Sequence, residues 1–283
     1  MRETRVAVYS PDSQLKRPLQ FAKASLDDLV RGRELAWQLL IRDIRQKYRQ
    51  SVFGVLWALA PPIATTLVFV FLNKQRILDI GETSIPYPVY VMVGTLLWSV
   101  FTQSVTNPIQ AFQDCVSIMT KVNISRAAPV LSGLGQVLFF AAIQFAVALA
   151  TLWMFGIGFT WGIAIAPVAI LFIAVLGAGI GMLLVPIGAL YRDVNESLSI
   201  ALRVWFFLTP VVYPAPTSWP YSLLATVNPV APLVRGARDL VTTGRLEDPA
   251  SYALACAGAV LVFLVGWVLF RLSVPHLIER LGN

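Results

Sequence analysis

The reactive side chains of this sequence are sparse, and they stand in no catalytic spacing. Cys115 and Cys256 form no CxxC pair, and His276 is the sole histidine, so neither a metal centre nor a disulfide framework is expected. The chemistry on offer is cationic. Arg42, Arg45, Lys47 and Arg49 lie within eight positions, directly before a charge-free run from Ser51 to Leu72. Such groups at the edge of an apolar run meet anionic headgroups. Lys121 and Arg126 occupy a polar connection, and Arg192-Asp193 closes another apolar stretch. Arg203 is the sharpest oddity, because it stands inside an apolar segment. A charge there costs roughly 3 kcal/mol at mid-bilayer, so it faces protein or water, pairs with Glu196 seven positions earlier, or snorkels to the headgroups.

The elements that must position these residues are membrane spans. Of 283 residues, 57% are hydrophobic and 13% charged, with mean hydropathy +0.70. A soluble domain carries about 25% charge. Here the charges are bunched and leave long uncharged runs, the pattern of a multi-span membrane protein. The net charge of +7 flanks apolar runs instead of lining one soluble face, which argues against nucleic acid. Six spans are predicted, at about 52–72, 88–109, 130–155, 163–190, 198–212 and 252–270. Pro61-Pro62 predicts a kink in the first. Gly177 and Gly181 predict a close helix approach in the fourth. The proline-rich stretch at 216–245 is too broken for a span and too apolar for a free loop. It reads as a re-entrant or interfacial hairpin, with Arg235, Arg238, Asp239, Arg245, Glu247 and Asp248 as its polar end.

Residues 1–50 read as a loose arm followed by an interfacial amphipathic helix. Leu26, Leu29, Val30, Trp37, Leu40, Ile41, Ile44 and Tyr48 form its apolar face. A six-helix transmembrane domain follows over 51–271, then a short tail over 272–283. No short apolar segment follows Met1, so no cleaved signal peptide is expected. With six spans both termini share a side. That side collects seventeen of the 22 Lys and Arg residues, which places it in the cytoplasm.

Two blocks carry a family likeness: RDIRQKYRQSVFGVLWALAPPI at 42–63, and GALYRDVNESLSIALRVWFFLTPVVYP at 188–214. In order and spacing the chain resembles the membrane subunit of ABC-2-type exporters, and within them the polysaccharide export permeases. These move lipid-linked O-antigen, capsule or teichoic-acid polymers across the bacterial inner membrane. The resemblance implies an all-α fold, a homodimer and two ATP-binding cassette subunits that hold ATP and Mg on the cytoplasmic side. In agreement, the sequence has no GxxxxGK[ST] to cradle a triphosphate, so no catalytic role is expected of this chain. The connection at 114–129 matches in position the helix that docks the ATPase. It departs from the family in carrying Asn123-Ile124-Ser125 before Arg126, where members often have an aromatic pair and proline.

On that likeness, Lys121 and Arg126 dock the ATPase or serve only the positive-inside bias. Arg42, Arg45, Lys47 and Arg49 touch the ATPase or the polymer diphosphate, or anchor in lipid. Arg192 and Asp193 form a junction switch or a static cap. Phe53, Trp57, Trp205, Phe206, Phe207 and Tyr213, with Arg203, are candidates for a polymer path, since aromatic faces stack on sugar rings. Their ordinary alternative is packing or lipid contact. Three other functions stay open: export of a small drug or lipid by the same fold, a membrane-embedded glycan or lipid transferase, and a channel or ion-coupled transporter. A transferase needs clustered acids or histidines in the membrane, and no Asp or Glu lies inside a predicted span.

Overall fold

The computed structural model describes residues 18–49, 54–77, 81, 83–119, 121, 125, 127–191, 193–216, 218–219 and 222–282. Among these every regular element is helical: α1 (Pro18–Tyr48), a 3-10 turn (Gly54–Ala58), α2 (Ala60–Lys74), α3 (Tyr87–Met119), α4 (Ala128–Met154), α5 (Gly162–Leu190), α6 (Asp193–Leu208), α7 (Ser222–Val227), α8 (Val230–Thr242) and α9 (Pro249–Gly282). An all-helical answer follows from the composition. Where no water competes for backbone groups, each N–H and C=O must be satisfied within its own segment.

Among the described residues, five helices are long and apolar enough to cross a bilayer: Leu56–Lys74, Tyr87–Val116, Ala128–Met154, Gly162–Leu190 and Pro249–Ile278. The predicted fifth span differs. It is helical over Asp193–Leu208, not 198–212, and has 16 residues. At 1.5 Å per residue it is about 24 Å long, short of a hydrocarbon core of about 30 Å. Pro210, which has no N–H to donate, follows its end.

Other boundaries move for identifiable reasons. Pro61 and Pro62 sit in the first turn of α2, after the 3-10 turn, where a missing N–H is harmless. The expected kink is therefore a helix start. The second span continues to Met119, through the beginning of the predicted polar connection. The predicted tail is the unbroken continuation of α9, held because Val274 and Leu277 are buried.

The fold centres on α5, which packs most extensively against α9 and α3. Its glycines make this possible. A Cβ on Gly177 would strike Ser104 and Phe101 of α3, and one on Gly181 would strike Val105. On another face, Gly179 lies against Phe263 of α9 and Gly266 against Gly179. The close approach predicted from Gly177 and Gly181 is thus observed. The larger apolar core joins α3, α4, α5 and α8, with Phe101, Ile173, Leu176 and Leu233 fully enclosed. A second core lies where α1 meets the ends of α3, α4 and α9, around Leu39, Phe112, Val130, Phe270 and Val274. We call that end of the bundle the near end, and the opposite end the far end.

By contrast, α2 and α9 are each only 17% buried along their most apolar window. Ile63, Leu67, Val68 and Phe71 of α2 face outward, as do Leu254, Leu261 and Leu264 of α9. An outward apolar face of this length belongs against lipid or another subunit. The short pair α7 and α8 lies where the re-entrant hairpin was predicted. Helix α8 has 13 residues and is buried along nearly all of them, against α5, α3 and α9.

Candidate functional site

At the end of α6 four consecutive backbone carbonyls are each met by a side chain from another helix. Arg238 Nη2 donates to Pro210 O at 3.3 Å and to Val211 O at 2.6 Å. Tyr87 Oη donates to Val212 O at 3.0 Å, and Tyr90 Oη to Tyr213 O at 3.1 Å. The Arg238 guanidinium lies 3.7 Å from the centroid of the Tyr90 ring. These carbonyls lie in the irregular turns after α6, where no backbone ladder supplies donors, so buried side chains must do so. Arg238 is 3% exposed and forms no ion pair among the described residues, so the ring and the carbonyls are its direct contacts, with the Asp239 and Glu247 charges farther off. Its Nε has no partner there. Gly94 of α3 leaves the room, since a Cβ at that position would strike Arg238 and Val211.

A second knot lies beside it. Asn228 Oδ1 accepts from Val230 N at 3.0 Å, capping the start of α8, and from Trp205 Nε1 at 3.2 Å. Its Nδ2 donates to Thr209 Oγ1 at 2.7 Å and to Leu208 O at 3.5 Å. Helix α8 is thus fastened to the end of α6 at its start through Asn228 and in its middle through Arg238. Movement of α6 must carry α8 with it or break this network.

At the near end, Gln113 of α3 joins α5 to α6. Its Nε2 donates to Gly188 O at 2.6 Å, and its Oε1 accepts from Asn195 Nδ2 at 2.9 Å. Helix α1 is fixed by two acids. Asp43 accepts from Ser132 Oγ at 3.3 Å and Gln136 Nε2 at 3.2 Å, both on α4. Asp28 accepts from Ser125 Oγ at 2.9 Å and pairs with Arg271 of α9 at 3.5 Å. Ser125 belongs to the connection predicted to dock the ATPase, so α1 touches that connection directly.

The candidates from sequence fall into several groups. Phe53, Arg126 and Arg192 lie outside the described residues, as does the side chain of Lys47. Arg45, Arg49 and Lys121 are exposed. Arg42 is exposed and pairs with Asp43 at 2.8 Å. Partial burial works against the Arg42 charge, but the Asp43 hydrogen bond and charge outweigh it and raise its pKa. Asp193 and Glu196 stand in the first turn of α6, where a negative charge suits the helix N-terminus.

Arg203 is exposed and forms no ion pair among the described residues, so the pairing with Glu196 is not made. Trp205 and Phe206 turn toward α3. Trp205 meets Phe101 edge-on at 5.3 Å, and Phe206 meets Trp98 at 5.8 Å. Tyr213 Oη donates to Phe207 O at 2.7 Å. Phe207 and Trp57 are each 60% exposed, on different elements. The aromatic set therefore divides: Trp205 and Phe206 pack, whereas Phe207 shares an outward face of α6 with Ile200, Arg203 and Val204.

The sequence reading assigns Arg238 and Asp239 to the polar end of the hairpin, where solvent would be the ordinary surroundings. Both are buried instead, at 3% and 8% exposure. The reason is that α8 is enclosed on all sides, which leaves no solvent face for position 238. In sequence Arg235, Arg238, Asp239 and Thr242 share one polar face of an amphipathic helix, a pattern that suits solvent and gives no sign of this burial. Tyr87, Tyr90, Gln113 and Asn228 were likewise passed over, because their roles depend on carbonyls far away in the chain.

The family model for ABC-2 type transporters matches residues 34–241, a stretch that contains both knots. The chain belongs to the ABC-2 type transporter family. Among curated relatives, an O-antigen export system permease protein RfbA of Myxococcus xanthus is 29% identical over 245 residues, covering 83% of this chain and 91% of the relative. The protein of the same name from Klebsiella pneumoniae is 26% identical over 240 residues, covering 81% and 88%. The polysialic acid transport protein KpsM of Escherichia coli is 21% identical over 252 residues, covering 82% and 91%. In this ABC-2 family member the matched stretch runs from within α1 to α8, and the α6–α8 fastening lies inside it.

Proposed function

We propose that this chain is the membrane subunit of an ATP-driven exporter that moves a lipid-linked polysaccharide across the bacterial inner membrane. The observation that carries this reading is alignment over about nine-tenths of permeases named for O-antigen export and polysialic acid transport. The absence of a phosphate-cradling loop from the sequence agrees with it, since the ATPase, with its ATP and Mg, is then a separate chain.

In this reading two copies of the chain form the path and two cassette subunits dock on the cytoplasmic side. The near end, where α1 meets the last turns of α9, faces the cytoplasm, in keeping with the charge count that puts both termini there. Helix α6, completed by the turns after Leu208, supplies the fifth of six crossings. Lys121 and Arg126 lie in the docking connection, and Ser125 passes its displacement to α1. The outward face of α6, with Arg203 and Phe207, borders the path. Differential affinity of the ATPase for two conformations supplies the driving free energy. The α6–α8 fastening makes the re-entrant pair follow α6, which opens the far end when the near end is loaded.

The test is purification of the chain from its native membrane. A separate ATPase is expected to co-purify and to hydrolyse ATP faster in the complex. A fully active transporter isolated as this chain alone would refute the reading.

A further inference from the structure

We propose that a polar stripe along α3 is a contact surface for the hydroxyl groups of a glycan in transit, a reading that rests on the export function above. Helix α3 is the most enclosed of the five long helices, at 72% buried. Val100, Phe101, Val105 and Ile109 are sealed within it. Ser99, Gln103, Thr106 and Gln110 nevertheless remain accessible: the first three are half-buried and Gln110 is exposed. They recur at steps of four, three and four, which keeps them within about 60° of arc over about 17 Å of helix. Thr102, on the flank of the stripe, is also half-buried.

The hydrogen bonds give the stripe a sense. Thr102 Oγ1 donates to Ser99 O at 3.0 Å, and Thr106 Oγ1 donates to Thr102 O at 3.0 Å. Gln103 Nε2 donates to Ser99 Oγ at 2.9 Å. Gln144 of α4, 2% exposed, donates to the same Ser99 Oγ at 2.9 Å, while its own Oε1 has no partner among the described residues. Ser99 Oγ thus accepts twice and keeps its own O–H to offer, Gln103 and Gln110 keep amide donors and acceptors, and the Thr102 and Thr106 hydroxyl oxygens keep lone pairs. The stripe is uncharged and offers both donors and acceptors. Lipid tails match neither, and a phosphate calls for cations that the stripe lacks. A sugar chain brings many neutral hydroxyls that both donate and accept, and individually weak bonds to them let a polymer pass.

The test uses the full chain with its partner in cells. Cys115 and Cys256 are replaced by alanine, and Gln103→Cys, Thr106→Cys or Leu138→Cys is introduced singly. Leu138 is the control, an exposed apolar position on α4. The probe is the membrane-impermeant reagent 2-sulfonatoethyl methanethiosulfonate, which attacks only hydrated thiolates. Positions 103 and 106 are expected to react well above position 138, and to be protected when the cell makes its polymer. In parallel, Gln103→Leu with Thr106→Val is expected to slow export about tenfold, and Gln103→Asn with Thr106→Ser to restore it. Reaction at the rate of position 138 would overturn the proposal, as would oxidative cross-linking of two copies through position 103. Labelling that ignores polymer synthesis would also overturn it. Polymer at the surface of cells lacking the chain would instead defeat the export reading itself, a separate outcome.

Discussion

Replacing Arg238 by alanine removes two hydrogen bonds to backbone carbonyls, at 2.6 and 3.3 Å, and a cation–ring contact at 3.7 Å. Hydrogen bonds made by a charged group contribute about 1.5–3 kcal/mol each, and a desolvated cation–π contact about 2 kcal/mol. Against this, the substitution abolishes the desolvation of a buried cation, which offsets several kcal/mol. The carbonyls of Pro210 and Val211 are then left without donors, at about 1–3 kcal/mol apiece. A net loss of about 3 kcal/mol in the seating of α8 follows, and about 1.4 kcal/mol corresponds to each tenfold in an equilibrium constant. Amide hydrogen exchange on the purified protein in lipid nanodiscs reads this locally. Residues 230–242 of Arg238→Ala should exchange about a hundredfold faster, with α5 unchanged. Arg238→Lys keeps the charge but loses the fork, so it should fall between. Unchanged protection of α8 in Arg238→Ala would refute the fastening. Global loss of protection would show instead that Arg238 serves the whole bundle.

Three further outcomes follow from named contacts. Gly181→Leu drives a side chain into the backbone at Val105, so the α3–α5 contact should fail and the protein should be lost from the membrane fraction in a thermal-shift or abundance assay. Asp43→Ala leaves Ser132 and Gln136 without their acceptor, and should loosen α1 by about 1–3 kcal/mol, read as faster protease cleavage between α1 and α2. Asp248 caps the start of α9. The Ser251 hydroxyl and N–H, with Arg235, hold its carboxyl below the usual range. Its folded pKa is depressed, so its contribution is present at neutral pH and lost as pH falls through the folded value. Exchange protection of the first turn of α9 should therefore drop in that acid range in the wild type and be pH-independent in Asp248→Asn.

The long apolar runs declared α3, α4, α5 and α9 plainly, because a bilayer admits only helices of about that length. The Gly177 and Gly181 pair likewise declared a close contact. What sequence could not declare was which contact partner each polar residue finds. Arg203 stands alone among apolar residues and Arg238 stands among other charges, yet the first is exposed and the second buried. The packing decides this: α6 offers an outward face to position 203, and α8 offers none to position 238. Trp205 and Phe207 are two positions apart, yet one packs on Phe101 and the other faces out, a division fixed by the rotation of α6 about Leu202. The end of α6 was misjudged because its polar partners, Tyr87, Tyr90 and Arg238, come from other helices. The continuation of α9 past 270 was hidden for a similar reason, since Val274 and Leu277 are buried in a core shared with residues of α1, α3, α4 and α5.

The central claim is that this chain carries a lipid-linked polysaccharide out of the cytoplasm. The most direct measurement is to deplete it in its native host and quantify lipid-linked polymer on the inner face of the cytoplasmic membrane and at the cell surface. Accumulation inside with loss of surface polymer is the predicted result. Surface polymer at the normal level, with no accumulation inside, would contradict the account.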